Sequence, residues 1–359
     1  MSGIVFAIPG DIDAPTGGYG YDRQLLRQWR ETGIAARHLA LPNSFPFPTA
    51  ADLATTERLL AETASDEVLL IDGLAFGAFP EALAERFADR LVALVHHPLA
   101  LETGLPPDQA AFLRHNERAV LGHARAVVVT GPATRDILAE NYAVPRDDIT
   151  VAVPGTEPAI RATRASIGTT VQLLAVGSII PRKGYDVLVE ALAAIEDRQW
   201  TLTIAGSPDY APRTVEFLHD RIARSGLADR ISLVGSVDSA SLWRLYDRTD
   251  IFVMPSLYEG YGMVLTEALA RGLPIVCTLS GAGAEALPDD AALKVPPGDV
   301  AALANALARL IDAPAERRRR ADAAWAAAGA LPRWSDTARI VAQTCLQDIC
   351  LQDNGRRVE

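Results

Sequence analysis

The sequence predicts an α/β protein built from two doubly wound parallel sheets, and three observations carry that prediction. Short apolar strands rich in Val, Ile and Leu alternate with helical stretches along the whole chain. Strands that are apolar throughout, without polar alternation, suit sheets covered by helices on both faces. With 359 residues the chain also exceeds what one hydrophobic core usually supports.

In the first half, strands are expected at Ile4–Ile8, Val68–Ile71, Leu91–Val95, Ala126–Val129 and Ile149–Val153. Helices are expected at Asp22–Thr32, Ala50–Thr63, Glu81–Phe87, Asp108–Gly122 and Ala133–Tyr142. The second half repeats the pattern, with strands at Val171–Val176, Thr201–Ala205, Ile231–Leu233, Ile251–Met254, Ile275–Cys277 and Ala292–Val295. Its helices include Asp186–Glu196, where Leu188, Val189, Leu192 and Ile195 fall at helical spacing, and Arg213–Ser225. Pro154–Thr170 lacks periodicity and is rich in turn formers, so it reads as the link between domains 1–157 and 168–333. Residues 334–359 read as a terminal helix.

Composition excludes several function classes. A net charge of −11 opposes nucleic-acid binding, which needs a basic surface. The three cysteines, at 277, 345 and 350, make neither a disulfide framework nor a metal cluster. The N-terminal apolar run is too short for a signal peptide, and no run is long enough to span a bilayer, so a cytoplasmic protein is expected.

The most informative stretch is Asp250–Thr278, DIFVMPSLYEGYGMVLTEALARGLPIVCT. An apolar strand breaks at Pro255-Ser256, and a loop with Glu259, Gly260 and Gly262 opens a helix bearing Glu267. Carboxylates and glycines at a helix N-terminus suit a polar, phosphorylated ligand. The eight-residue spacing alone proves nothing: with 45 acidic residues, roughly five or six such pairs arise by chance. The whole run PSxxEGxGxxxxEAxAxGxPIV, however, resembles the E-x7-E signature of retaining glycosyltransferases of family 4. That resemblance implies the GT-B fold, in which two Rossmann-like domains face a cleft. It further implies that Glu259 faces the donor sugar and that Glu267 holds the nucleotide ribose. The VPGTEP segment resembles the linker before the family's donor domain, and the terminal helix is expected to cross back onto the first domain.

Further motifs extend the reading. In VQLLAVGSIIPRKGYDVL, Arg182 and Lys183 follow a buried strand and precede a helix, where cations can neutralise a diphosphate. The family has an Arg and a Lys here. Lys183 matches the Lys, while Ser178 stands in place of the Arg, leaving Arg182 as the candidate substitute. Gly17 and Gly18 resemble the family's glycine loop over the donor phosphates, and the helix is expected to begin after them, near Tyr21 or Asp22. His96, at the end of a strand, matches the family's histidine near the sugar; a shift by one residue would favour His97, and Glu102 is a weaker polar candidate. The amide groups of Gly262, Met263 and Val264 complete the donor-binding set.

Two alternatives concern metal and membrane. Asp11 and Asp13 form a D-x-D pair that binds metal in another glycosyltransferase fold, but the family resembled is metal-independent, so no metal or other cofactor is expected. Arg317–Arg320 reads as a solvated surface. Arg114, His115, Arg118 and Arg125, interleaved with Phe112, Leu113 and Leu121, form a candidate membrane-facing helix, which would place the protein at the inner face of the membrane. The expected reaction moves a hexose from a nucleotide-diphosphate sugar to a glycan or lipid-linked acceptor. A nucleotide-sugar 2-epimerase of the same fold and a non-catalytic sugar-nucleotide-binding protein remain open. A nicotinamide dehydrogenase is disfavoured because the first strand is not followed by G-x-G-x-x-G.

Overall fold

The computed structural model describes residues 3–102, 104–163 and 170–355, with side chains to residue 347. Part of the expected link, 164–169, and the end of the terminal segment, 356–359, lie outside the described residues. The chain divides into two compact units, Met1–Gly155 with Pro332–Glu359, and Thr156–Leu331.

The first unit holds six strands: β1 Ile4–Pro9, β2 Ala36–Leu41, β3 Val68–Asp72, β4 Leu91–Val95, β5 Ala126–Val129 and β6 Ile149–Val151. They form one sheet in the order β2-β1-β3-β4-β5-β6, and every pairing is parallel. The strand β2, ARHLAL, was not among those expected. It is an edge strand whose residues, apart from buried Leu41, are half-buried or exposed, so its sequence mixes Arg37 and His38 with apolar residues.

The second unit repeats the architecture with β7 Val171–Val176, β8 Trp200–Ala205, β9 Ile231–Leu233, β10 Ile251–Met254, β11 Ile275–Thr278 and β12 Ala292–Val295. Its order is β12-β11-β10-β7-β8-β9, again wholly parallel. Strand order reverses between β7 and β10 here, and between β1 and β3 in the first sheet. Loops leaving adjacent strands at such a reversal diverge to opposite faces and open a crevice at the carboxyl ends, where ligands of doubly wound sheets bind.

The terminal helix, Trp334–Gly355, belongs to the first unit. The indole of buried Trp29 donates to the Ala338 carbonyl at 2.8 Å, and Thr337 Oγ1 donates to the Val153 carbonyl at 2.8 Å. At Gly155 a side chain is impossible, since a Cβ would lie 2.2 Å from the Trp334 nitrogen. Among the described residues no helix is long and apolar enough to cross a membrane.

Candidate functional site

In the second unit, the segments leaving β7 and β10 bring three of the expected residues together. Lys183 and Arg182 occupy a short 3-10 turn, Pro181–Lys183, and Gly184 then turns the chain into the helix Tyr185–Ala193. Gly184 has φ +63°, and a Cβ there would sit 2.3 Å from the Pro255 carbonyl oxygen. Only glycine lets the two loops approach this closely. As a result Lys183 Nζ pairs with Glu259 Oε1, and an Arg182 guanidinium nitrogen lies 3.3 Å from Glu259 Oε2. Ser256 Oγ donates to Glu259 Oε1 at 2.7 Å, and the Glu259 amide donates to the Ser280 carbonyl at 2.7 Å.

Glu259 is buried, and burial alone would push its carboxyl up. Lys183 and Arg182 outweigh burial and hold it below the ordinary glutamate value. The site is therefore a desolvated carboxylate held by two cations that could exchange it for phosphate oxygens.

The helix Met263–Ala270 begins two residues beyond that loop, with Gly262 as its N-cap at φ +88°. No side chain caps this end, so the amides of its first turn remain available to an anion. Glu267 lies on this helix and accepts from the Tyr246 hydroxyl at 2.9 Å. Burial pushes its carboxyl up, while the Tyr246 hydroxyl and Arg271 pull the other way. Arg271 stacks 4.4 Å over the Tyr246 ring and donates to the Glu267 carbonyl at 2.8 Å. Ser256, Tyr246 and Arg271 were not foreseen; Ser256 alone had a visible signal, its place in the PSxxEG run.

In the first unit, His96 follows β4 directly and His97 turns elsewhere, to Glu102 at 3.3 Å. His96 Nε2 lies 3.4 Å from Asp22 Oδ1 and 3.4 Å from Asp72 Oδ2. Asp72 ends β3 and its other oxygen caps the next turn, accepting from the Leu74 amide at 2.9 Å. Burial works against an imidazolium at His96, but the two carboxylates prevail and push it up to about 10. Asp22, Asp72 and His96 also form a group with metal-ligand chemistry, their ligand atoms lying within 4.8 Å of one another. Neither aspartate was foreseen as a site residue, although Asp72 closes the run VLLID at the carboxyl end of a strand.

Several expectations need correction. The first helix spans Gly17–Thr32, so Gly17 and Gly18 form its first turn instead of a loop before it, and Thr16 is the cap. Gly18 lies against His96, where a Cβ would be 3.3 Å from ring Cδ2. Asp11 serves the local turn, accepting from the Asp13 amide at 2.9 Å. The membrane-facing set does not hold together, because Leu113 and Leu121 are buried in the core and Arg125 donates to the Cys345 carbonyl of the terminal helix. Phe112, Arg114, His115 and Arg118 stay exposed. The basic run divides as well: Arg317 donates to the Leu310 carbonyl at 2.6 Å and Arg320 to the Asp289 carbonyl at 2.9 Å, while Arg318 and Arg319 are exposed.

Known proteins share both the sequence pattern and the fold. A family model described as glycosyl transferases group 1 matches residues 170–313. Mannosylfructose-phosphate synthase of Agrobacterium fabrum is 32% identical over 173 residues, covering 43% of this chain and 38% of that protein. The MMP α-(1→4)-mannosyltransferase of Mycolicibacterium hassiacum is 27% identical over 294 residues, covering 77% and 70%. Several others align over 206 to 245 residues, so the chain spans about half the length of many curated relatives it matches. Among solved structures, sucrose-phosphate synthase of Thermosynechococcus elongatus superposes with a TM-score of 0.81 at 21% identity, covering 97% of this chain and 99% of that one. With two parallel six-stranded sheets of this topology, the chain has the GT-B fold, and its second unit carries the sequence pattern of the group 1 glycosyltransferases over residues 170–313.

Proposed function

We propose that this protein is a retaining glycosyltransferase that moves a hexose from a UDP- or GDP-sugar to a hydroxyl of a glycan or lipid-linked acceptor. The observation that carries this reading is the meeting of Lys183, Arg182 and Glu259 beside the uncapped helix start at Gly262, at the reversal of the second sheet. In this reading the donor diphosphate takes the place of Glu259 on the two cations, and Arg182 supplies the charge that Ser178 does not. Amides of Gly262, Met263 and Val264 share the phosphate charge. Glu259, released, orients the sugar hydroxyls, and Glu267 receives the ribose hydroxyls. Gly17 and Gly18 leave room beside His96, which donates to the transferred sugar.

The C1–O bond to phosphate breaks with its electron pair on the departing diphosphate. The acceptor oxygen bonds to C1 on the same face, and its proton passes to the leaving phosphate. No protein base is required, and the two cations with the helix amides stabilise the departing charge without metal.

Incubation of the purified protein with labelled UDP- and GDP-hexoses and candidate acceptors tests the reading. A product heavier by one hexose, formed in the presence of EDTA, is expected. A change confined to the donor would instead indicate an epimerase, and chelator-abolished transfer would overturn metal independence. Thermal-shift screening with nucleoside diphosphates identifies the base: a ligand at 100 times its Kd stabilises by about 2.7 kcal/mol.

A further inference from the structure

We propose that Asp22 and Asp72 are positioning residues that hold His96 as a cation, with one ring proton fixed on Nε2 between the two carboxylates. The inference deepens the role given to His96 above and rests on that reading for its catalytic consequence, though not for the charge state itself.

The cluster is built by the fold. Helix Gly17–Thr32 carries Asp22 after β1, β3 ends on Asp72, and His96 follows β4. β3 lies between β1 and β4 in the sheet, so the carboxyl ends of three neighbouring strands supply the three groups. Asp22 is fully buried and Asp72 nearly so. One Asp72 oxygen is satisfied by the Leu74 amide. Among the described residues neither oxygen of Asp22 nor Nε2 of His96 has a hydrogen-bond partner of good geometry, and the two groups face each other as an ion pair at 3.4 Å, with Arg23 a further positive charge acting on Asp22. A buried carboxylate without donor or counter-charge costs several kcal/mol; burial pushes Asp22 up to about 7, and the His96 ring pulls it the other way, so above that pH the carboxylate faces the ring as its counter-charge.

The alternative tautomer, with its proton on Nδ1, would aim the Nε2 lone pair at two negative oxygens 3.4 Å away. Protonation of Nε2 removes that repulsion, and full protonation of the ring balances one of the two charges. The ring is also held from other sides. Gly18 packs on it, Tyr21 meets it edge-on with centroids 5.4 Å apart, and the hydroxyls of Thr130 and Thr134 donate to the His96 carbonyl at 3.3 Å. The groups that set its charge are Asp22 on the helix and Asp72 on β3; Arg23 acts on Asp22, and the buried Tyr21 hydroxyl donates to the Ala152 carbonyl.

Nε2 is buried, so the 20% exposure of the side chain belongs to the rest of the ring. A cationic ring then presents Nδ1–H as a donor, never as a base. This gives His96 a fixed direction of hydrogen bonding toward a sugar oxygen.

Nitrogen-15 NMR of the full chain labelled at histidine tests this, with the His96 signals identified by their loss in His96→Gln. The wild-type ring is expected to show both nitrogens protonated at pH 8, where an ordinary histidine of pKa about 6.5 is neutral. Asp22→Asn and Asp72→Asn should each lower the His96 midpoint by at least one pH unit. A ring neutral at pH 7.5, or a folded variant with an unmoved midpoint, would overturn the proposal. Should Asp22→Asn fail to fold, the wild-type titration and Asp72→Asn decide alone. His96 signals that shift on EDTA treatment, or saturable zinc binding lost in Asp72→Asn, would replace the proton by a metal ion and equally overturn it. None of these readings needs a substrate, so they stand apart from any failure to find transferase activity. In the transfer assay, Asp72→Asn should lower kcat at least tenfold with donor Kd within twofold; an unchanged kcat with a lowered midpoint would remove the catalytic consequence.

Discussion

At the residue scale, the site depends on charges placed where water cannot screen them. Glu259 is 6% exposed and keeps its charge only because Lys183 and Arg182 face it. Its folded value lies below the ordinary 4.5, so the pair contributes stability above pH 4.5 that disappears as pH falls through the folded value. Lys183→Ala removes the closer cation and lets burial raise Glu259 again. Turnover should fall at least a hundredfold, on the order of 3 kcal/mol of lost transition-state stabilisation. The acid limb of a melting-temperature profile should also move to higher pH. Near-normal kinetics in a folded Lys183→Ala protein would remove Lys183 from the phosphate role.

Glu117 shows the opposite sign. It is buried with one oxygen accepting from the Leu99 amide at 3.0 Å, and burial pushes its carboxyl up to about 8. Because the folded value lies above the ordinary 4.5, folding favours the protonated form, and stability is lost as pH rises from 4.5 to about 8. Glu117→Gln mimics that neutral form. Its melting temperature relative to wild type should therefore be more favourable at pH 8.5 than at pH 5.5. A difference that does not change with pH would show that Glu117 ionises freely.

At the scale of elements, the strands and helices of the sheet interiors were legible because burial on both faces leaves an unbroken apolar run. Val171–Val176 and Leu91–Val95 appear as expected to the residue. The edge strand β2 was not legible, since one side of an edge needs no apolar cover. The start of the first helix was also misjudged, because a glycine pair usually signals a loop, whereas here both glycines lie in the helix and Gly18 passes close to the His96 ring. Lys183, Glu259 and Glu267 could be singled out as candidates in advance because each lies in a contiguous motif. Asp22 and Asp72 could not, because only the strand order brings them into contact with His96, which lies 74 positions beyond Asp22 and 24 beyond Asp72. Gly184 tests the same logic of close approach. Gly184→Ala adds a positive-φ penalty of roughly 1–2 kcal/mol and a clash with the Pro255 carbonyl. Loss of nucleotide binding should exceed the loss of melting temperature, because the displaced loop carries Lys183. Unchanged binding in this variant would mean that the loop tolerates displacement.

At the scale of the whole molecule, the two units differ in how the chain closes them. The Thr156–Leu331 unit is continuous and has its own core around Leu173, Trp200, Ile204, Val253 and Leu307. The first unit is discontinuous: it needs residues 332–355 to cover Trp29 and the carbonyl of Val153. A chain ending at Leu331 would expose an indole that is fully buried in the intact protein. Uncovering a large aromatic of this kind costs about 3–5 kcal/mol by analogy with truncating it to alanine. Such a chain should therefore melt in two steps, with the earlier step belonging to the first unit. Addition of the nucleoside diphosphate that stabilises the intact protein should raise the later step and leave the earlier one where it was, because Lys183, Arg182, Glu259 and Glu267 all lie within the continuous unit. Calorimetry with and without that nucleotide reads both outcomes at once. A single transition that moves as a whole would show that the units unfold together, and a nucleotide shift of the early step would place binding on the wrong sheet.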